Sequence, residues 1–150
     1  MLQRIQTIFL LLACSAMLIA SATSLGSFTY NGDRMLVEAV GVYLNGELYH
    51  FTWGLVGLGV ISAILSFVSI FFFRKRKLQI RLSMFNIGFM VAFYLYFGYL
   101  LYKFTTTGNL QLVRIGAGVV MPAVAILFTA LAIRKISADE ALVRSLDRLR

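Results

Sequence analysis

Few side chains in this sequence have the types and spacing that chemistry requires. His50 is the only histidine, and with Glu47, Asp33 or Glu38 it could form a metal site, because imidazole and carboxylate groups are common zinc ligands. A lone histidine beside Trp53 at a membrane interface is more often a packing or lipid-headgroup contact. The sequence therefore favours no metal site and no cofactor.

Other catalytic patterns are missing from the sequence. Cys14 is the only cysteine and lies in an apolar stretch, which is typical of a small buried residue. The chain has no CxxC, HExxH or Gly-rich phosphate-loop pattern. A Ser, Thr or Tyr nucleophile would need a base close by, and none is evident. We therefore predict that the protein is not an enzyme.

Long uncharged segments dominate the chain, and they must position everything else. Sixty per cent of the residues are hydrophobic and only 13% are charged. The stretch 54–73 is long enough as a helix to cross about 30 Å of hydrocarbon. The predicted elements are a first span at 5–25, an outer β module at 27–52, a second span at 53–73, a basic cytoplasmic loop at 74–81, a third span at 82–102, an outer loop at 103–114, a fourth span at 115–133 and a cytoplasmic tail at 137–150.

No Asp, Glu, Lys, Arg or His lies within these four spans. Intramembrane ionisable groups usually mark proton relays and ion paths, so their absence weighs against a proton-coupled transporter. The net charge of +8 does not indicate nucleic-acid binding, because most cations flank apolar segments.

The cations are distributed unequally between the two predicted sides. Three would lie outside: Arg34, Lys103 and Arg114. The others would lie inside: Arg4, Arg74, Lys75, Arg76, Lys77, Arg81, Arg134, Lys135, Arg144, Arg148 and Arg150. This bias predicts a multi-pass protein of the bacterial inner membrane with both termini in the cytoplasm. We expect anionic lipid headgroups to contact the cations that set the topology: Arg74, Lys75, Arg76, Lys77 and Arg81.

The first span has two alternative interpretations. Ala20-Ser21-Ala22 resembles a signal-peptidase site, and Leu11-Leu12-Ala13-Cys14 loosely resembles a lipidation box. The second would leave an apolar region too short for a good export signal. A retained helix is the favoured interpretation.

Between the first two spans, the spacing of apolar residues changes from one typical of a helix to one typical of strands. Asn45-Gly46 separates two apolar stretches, which strongly indicates a hairpin with a type I′ turn. A third strand is predicted through Phe28-Thr29-Tyr30. The predicted fold is thus an all-α membrane protein, a four-helix bundle with an extracytoplasmic β-hairpin or three-stranded sheet between helices 1 and 2 and a C-terminal cytoplasmic amphipathic helix. Tyr49 and Trp53 would lie at the interface.

The second span carries small residues on one side. This spacing lets helix backbones approach closely and predicts packing within the chain, with a homodimer seam as the alternative. Pro122 removes one backbone hydrogen bond and should kink the fourth span, which neighbouring helices can tolerate. The helix-packing candidates are Gly59, Ser62, Ala63, Ser66, Ser69 and Pro122.

The third span is unusually aromatic. A ridge at spacing four is predicted to face lipid or a neighbouring helix: Phe85, Phe89, Phe93 and Phe97. Tyrosines crowd toward its outer end: Tyr94, Tyr96, Tyr99 and Tyr102. Asn86 is its one strongly polar side chain, and we expect it to bond a neighbouring backbone or a headgroup.

The tail has the pattern of a separate amphipathic helix. Ser137 and Glu140 fit a capping box at its start. One side is apolar: Leu142, Val143, Leu146 and Leu149. With Arg144 and Arg148, these residues are the candidate contacts with a partner. Lying on the anionic inner leaflet is the alternative.

Three parts of the chain resemble a Bacteroidota family of small four-span inner-membrane proteins of uncharacterised function. They are the opening Met1-Leu2-Gln3-Arg4-Ile5-Gln6-Thr7, the Asn-Gly-Glu hairpin before Trp53, and the close at 139–150, Asp-Glu-Ala-Leu-Val-Arg-Ser-Leu-Asp-Arg-Leu-Arg. The resemblance implies an inner-membrane four-helix bundle and supplies no activity. The architecture is also similar to that of claudins, as an analogy of fold only.

These observations favour a non-enzymatic accessory or stabilising subunit of a larger inner-membrane complex. The alternative is a small-molecule or lipid transporter acting as an oligomer, with a pathway near Pro122, Asn86 and the tyrosines. An enzyme with an outer metal site around His50 is the third hypothesis.

Overall fold

The computed structural model describes residues 2–73 and 75–147, with the side chains of residues 5–73 and 75–143. Helices and strands follow one another in the order α1 (Leu2–Ala22), β1 (Ser24–Tyr30), β2 (Asp33–Glu38), β3 (Gly41–Leu44), β4 (Glu47–Phe51), α2 (Trp53–Phe71), α3 (Arg76–Thr107), β5 (Leu110–Ile115) and α4 (Ala117–Asp147).

All four helices are long and apolar enough to cross a membrane. Each packs against two neighbours, with α1 between α2 and α4 and α3 also between α2 and α4. Large apolar side chains lie on the outside of this ring, and Phe85 is 71% exposed. An apolar exterior of this extent suits lipid and would be a liability in water.

The strands form one antiparallel sheet at the end of the bundle where α1 and α3 end and α2 and α4 begin. Its strand order is β4-β3-β2-β1-β5. Asn45 and Gly46 both have positive φ, at 52° and 91°, as a type I′ turn requires. The predicted hairpin is confirmed. Asn31 and Gly32 make the same kind of turn between β1 and β2.

The predicted all-α class is wrong, because the protein combines its helices with a five-stranded sheet. The prediction of a hairpin or three strands also fell two strands short. The stretch before Asn45-Gly46 forms two strands, β2 and β3, and β5 lies in the segment 103–114, which was expected to be a loop. β5 pairs with β1, about eighty residues earlier, so no local turn signal announces it. Two hydrogen bonds flank the paired strands. Asn109 N–H donates to Asn31 Oδ1 at 2.9 Å, and Gly116 N–H donates to Leu25 O at 2.9 Å.

Two helices are longer than predicted. α3 begins at Arg76, inside the predicted basic loop, and continues to Thr107. α4 continues for 31 residues to Asp147, so residues 137–147 of the predicted tail at 137–150 continue the fourth helix and Ser137 is not a helix start. Residues 148–150 lie outside the described part of the chain. No Gly or Pro follows Ile133 to end the helix there.

One hydrophobic core continues from the bundle into the underside of the sheet. Phe93, Phe97 and Leu100 of α3 belong to the same buried cluster as Met35 and Val37 of β2. Tyr30 and Phe104 meet edge to face, with ring centroids 5.9 Å apart. The sheet therefore packs against the bundle as part of the same folded unit.

Candidate functional site

A line of polar side chains lies between α2 and α3. These helices are joined by a short connection and run antiparallel, so residues of α2 face residues of α3 in reverse order. Ser62 Oγ donates to Asn86 Oδ1 at 2.7 Å, and Asn86 Nδ2 donates to Ser66 Oγ at 2.6 Å. Asn86 is 1% exposed. The expectation that it bonds a backbone or headgroup is wrong, because the small residues of α2 bring two hydroxyls within its reach.

Two further serines lie about one helical turn nearer the α2–α3 connection. Ser69 is three residues beyond Ser66 on α2, and Ser83 is three residues before Asn86 on α3, so the antiparallel register places them at one level. Both hydroxyls are buried, and neither has a hydrogen-bond partner within the described part of the chain. Gln79 is buried one turn further along α3. We call this set the polar seam: Ser62, Ser66, Ser69, Gln79, Ser83 and Asn86.

The small-residue stripe of α2 contacts more than one helix. A Cβ at Gly59 would overlap Ser21 Oγ of α1, while the serines beyond it face α3. All five members are buried: Gly59, Ser62, Ala63, Ser66 and Ser69. Within this structure, helices of the same chain cover them.

A second polar cluster joins three helices at the end opposite the sheet. Gln6 Nε2 of α1 donates to Asp139 Oδ2 of α4. Arg76 Nη1 of α3 donates to the backbone oxygen of Asp139 at 3.0 Å. Gln6 and Asp139 are both buried. We call these three residues the Asp139 clamp; it fixes α4 against α1 and α3 at a point well past the predicted end of the fourth span.

The third polar contact lies at Pro122 in α4. Proline has no backbone N–H, and its ring displaces the preceding turn. Ala123 N–H donates to Tyr94 Oη at 2.9 Å, and the Tyr94 hydroxyl donates to Val119 O. In a regular α-helix, Ala123 N–H would donate directly to Val119 O, four residues earlier. The hydroxyl of α3 thus sits inside the opened turn of α4. Sequence reasoning predicted the kink but missed its partner, for which a tyrosine in the neighbouring span was the only signal.

The residues of the other two functional hypotheses are brought together only in part, since Tyr94 meets the turn at Pro122. Among the described residues, no three His, Cys, Asp or Glu side chains could hold a metal ion, and His50 Nδ1 lies 2.7 Å from Phe51 O. Asn86 faces α2 whereas Tyr94 faces α4, so the proposed pathway residues do not share one site.

The phenylalanine ridge is split: Phe93 and Phe97 are buried, and Phe85 is exposed.

The candidate partner contacts are only partly visible. Leu142 is 59% and Val143 43% exposed on the last turns of α4. The side chains of Arg144 and Leu146 lie outside the described residues, as do Arg148 and Leu149 entirely. Of the topology cations, Lys75, Lys77 and Arg81 are exposed, Arg76 is in the Asp139 clamp, and Arg74 lies outside the described residues.

The chemistry available to the polar seam is hydrogen bonding. Its groups are four hydroxyls and two amides, which donate and accept but do not titrate near neutral pH. Among the described residues, no His, Asp or Glu side chain forms a hydrogen bond with a serine of the seam, as activation of a serine nucleophile would require. The arrangement can position α2 against α3 through hydrogen bonds.

A protein-family model described as "Domain of unknown function (DUF4293)" matches residues 2–149. The match thus includes the bundle, both sheet segments and the polar clusters. No curated protein and no solved structure matches the chain.

Proposed function

This chain belongs to the DUF4293 family, and we propose that it is a non-enzymatic accessory or stabilising subunit of a larger assembly in the bacterial inner membrane. Its helices carry structural polar contacts, and its core joins bundle and sheet into one body. Such a body can hold a partner in place without chemistry of its own.

The observation that carries the proposal is the length and fixation of α4. Its 31 residues span about 46 Å at 1.5 Å per residue, whereas the hydrocarbon core is about 30 Å thick. The Asp139 clamp holds the far part of this helix to α1 and α3. Leu142 and Val143 follow the clamp directly and remain exposed. Burying such side chains against a partner is favourable by about 25 cal/mol per Å².

The charges support an orientation for this subunit. Lys75, Lys77 and Arg81 are exposed at the clamp end, where they would meet anionic headgroups of the cytoplasmic leaflet. We propose that both termini are cytoplasmic and that the sheet faces the periplasm. A partner that contacts Leu142 and Val143 is then a cytoplasmic domain or the cytoplasmic end of another membrane protein.

The test is a pair of charged substitutions at the end of α4. Leu142→Asp with Val143→Asp places two carboxylates on the proposed contact. Ser137→Asp with Ala141→Asp adds the same charge on exposed positions of the same helix, on a different side from Val143. Native mass spectrometry of particles extracted directly from the membrane, without detergent, measures the composition of the complex.

We expect the wild-type chain and the control pair to leave the membrane with one partner at fixed stoichiometry, and the Leu142/Val143 pair to leave without it. A wild-type chain that is recovered only alone, or only with copies of itself, would contradict the proposal.

A transporter acting as an oligomer is the second candidate. Two observations favour it: the unpartnered hydroxyls of Ser69 and Ser83 in the polar seam, and the opened turn at Pro122. Both could take part in a moving pathway. Homo-oligomers that give solute or lipid flux in liposomes, with the flux lost on Asn86→Leu, would favour this function over the first.

A further inference from the structure

The face of the sheet that points away from the bundle carries an unpaired cluster of cations and hydroxyls. Alternation along β1 buries Phe28 and Tyr30 and leaves Ser27 and Thr29 on the opposite face. Thr29 is paired with Arg34 on β2, and Ser27 is paired with Arg114 on β5. All four line a cleft of about 370 Å³ that crosses these three strands.

A β-bulge puts Arg114 on this face. Phe28 pairs with Leu112, so regular pairing would place Val113 opposite Ser27 and turn Arg114 toward the underside of the sheet. The register shifts between Ser27 and Phe28, and Arg114 becomes the partner of Ser27 instead. Bulges commonly re-aim a side chain in this way beside functional sites.

The two arginines are placed to meet over β1. Their strands are separated by two strand spacings, roughly 9.6 Å, and their partners on β1 are two residues apart, roughly 6.8 Å. The diagonal between the two backbone positions is therefore roughly 12 Å. Two arginine side chains that lean inward can reach one small group above Ser27 and Thr29.

The charge balance of the cleft is positive. Its lining contains Arg34 and Arg114 and no carboxylate. Glu38 lies four residues beyond Arg34, and both residues line the adjoining cleft. Within the described residues, neither guanidinium group has an ion pair, and the hydroxyls of Ser27 and Thr29 have no hydrogen-bond partner.

We propose that this cleft is a binding site for an anionic group, a phosphate or carboxylate. The group lies between Arg34 and Arg114 and accepts hydrogen bonds from the hydroxyls of Ser27 and Thr29. Guanidinium groups present paired donors that match the two oxygens of such an anion. The anion is carried either by a lipid headgroup or by a soluble molecule. The site does not depend on the subunit role proposed above.

The test uses the full-length protein in nanodiscs, with side-chain ¹⁵N resonances of the arginines as the readout. In one arm the lipid is neutral phosphatidylcholine, and inorganic phosphate and glycerol 3-phosphate are titrated in at constant ionic strength. In the other arm no phosphate is added, and phosphatidylglycerol replaces part of the lipid. Arg34→Gln and Arg114→Gln are compared with Lys103→Gln, which removes the same charge from an exposed position outside the cleft.

We expect saturable shifts at Arg34 and Arg114 in at least one arm. Saturation by added phosphate identifies a soluble source, and saturation by phosphatidylglycerol identifies a lipid headgroup. Each Gln variant should weaken binding about tenfold, and Lys103→Gln should change it less than twofold. The proposal fails if neither arm shifts these resonances. It also fails if Lys103→Gln weakens binding as much as the arginine variants, since general charge attraction would then explain the effect.

Discussion

The contact between Tyr94 and the opened turn at Pro122 gives the sharpest stability prediction. Tyr94→Phe removes one oxygen and leaves the ring in place. Ala123 N–H and Val119 C=O then lose their shared partner in a segment apolar enough to span the membrane. An unsatisfied buried polar group costs about 1–3 kcal/mol, although hydrogen bonds between membrane helices average about 0.6 kcal/mol. Since two such hydrogen bonds are lost, we expect the free energy of unfolding to fall by about 1–2 kcal/mol.

The decisive comparison is the same substitution without the proline. In a Pro122→Ala background the helix can close, and Ala123 N–H can bond Val119 O directly. There Tyr94→Phe should cost less than about 0.5 kcal/mol, since no group is left orphaned. Reversible unfolding in bicelles, measured for all four members of the cycle, gives the coupling free energy between the two sites.

Tyr99→Phe is the matched control for this cycle. Tyr99 lies on the same helix and is 59% exposed, so its hydroxyl should contribute less than about 0.5 kcal/mol. Equal costs of Tyr94→Phe with and without Pro122 would refute the idea that the hydroxyl serves the opened turn.

Three further predictions concern the seam, the turn and the topology. Asn86→Leu should lower the free energy of unfolding by about 1–2 kcal/mol, because two interhelical hydrogen bonds are lost; an unchanged value in the same bicelle assay would contradict the geometry of the seam. Gly46→Val should weaken the β3–β4 hairpin by about 1–3 kcal/mol, because φ is 91° there, whereas Gly46→Asn should be tolerated. Amide exchange of β4 measures the difference, and equal protection in both variants would argue against the turn. With Cys14 changed to Ser, an impermeant thiol reagent should label a cysteine at residue 46 in spheroplasts and should not label one at residue 77; the reverse result would invert the proposed orientation.

Much of the fold follows from short stretches of sequence. Each predicted span lies within or overlaps a helix of the structure, because twenty uncharged residues form a span whatever the rest of the chain does. The turn at Asn45-Gly46 is equally local, since the positive φ is a property of two adjacent residues. The fourth helix continues past the predicted boundary at Arg134 and Lys135, because charged residues that signal a membrane boundary do not end a helix.

The polar contacts required the tertiary structure. Asn86 was noticed in the sequence, but its serine partners lie on another helix and depend on which faces meet. The Arg34 and Arg114 cleft depends on a bulge in the pairing of β1 with β5. A bulge shifts the register between two paired strands. Here the two strands are distant in the chain, and no residue pattern in either one specifies the shift.

The four long apolar helices, the hairpin at Asn45-Gly46 and the unequal charge of the two predicted sides could all be read from the sequence, because each depends on neighbours along the chain. Three features appear only in the folded chain: β5 completes the sheet, Gln6 meets Asp139 across 133 residues, and a tyrosine hydroxyl fills the turn at Pro122. These contacts join groups that are far apart in the chain. A hydrogen bond forms only when both groups arrive at bonding distance and angle, and their arrival is set by the packing of whole helices and strands.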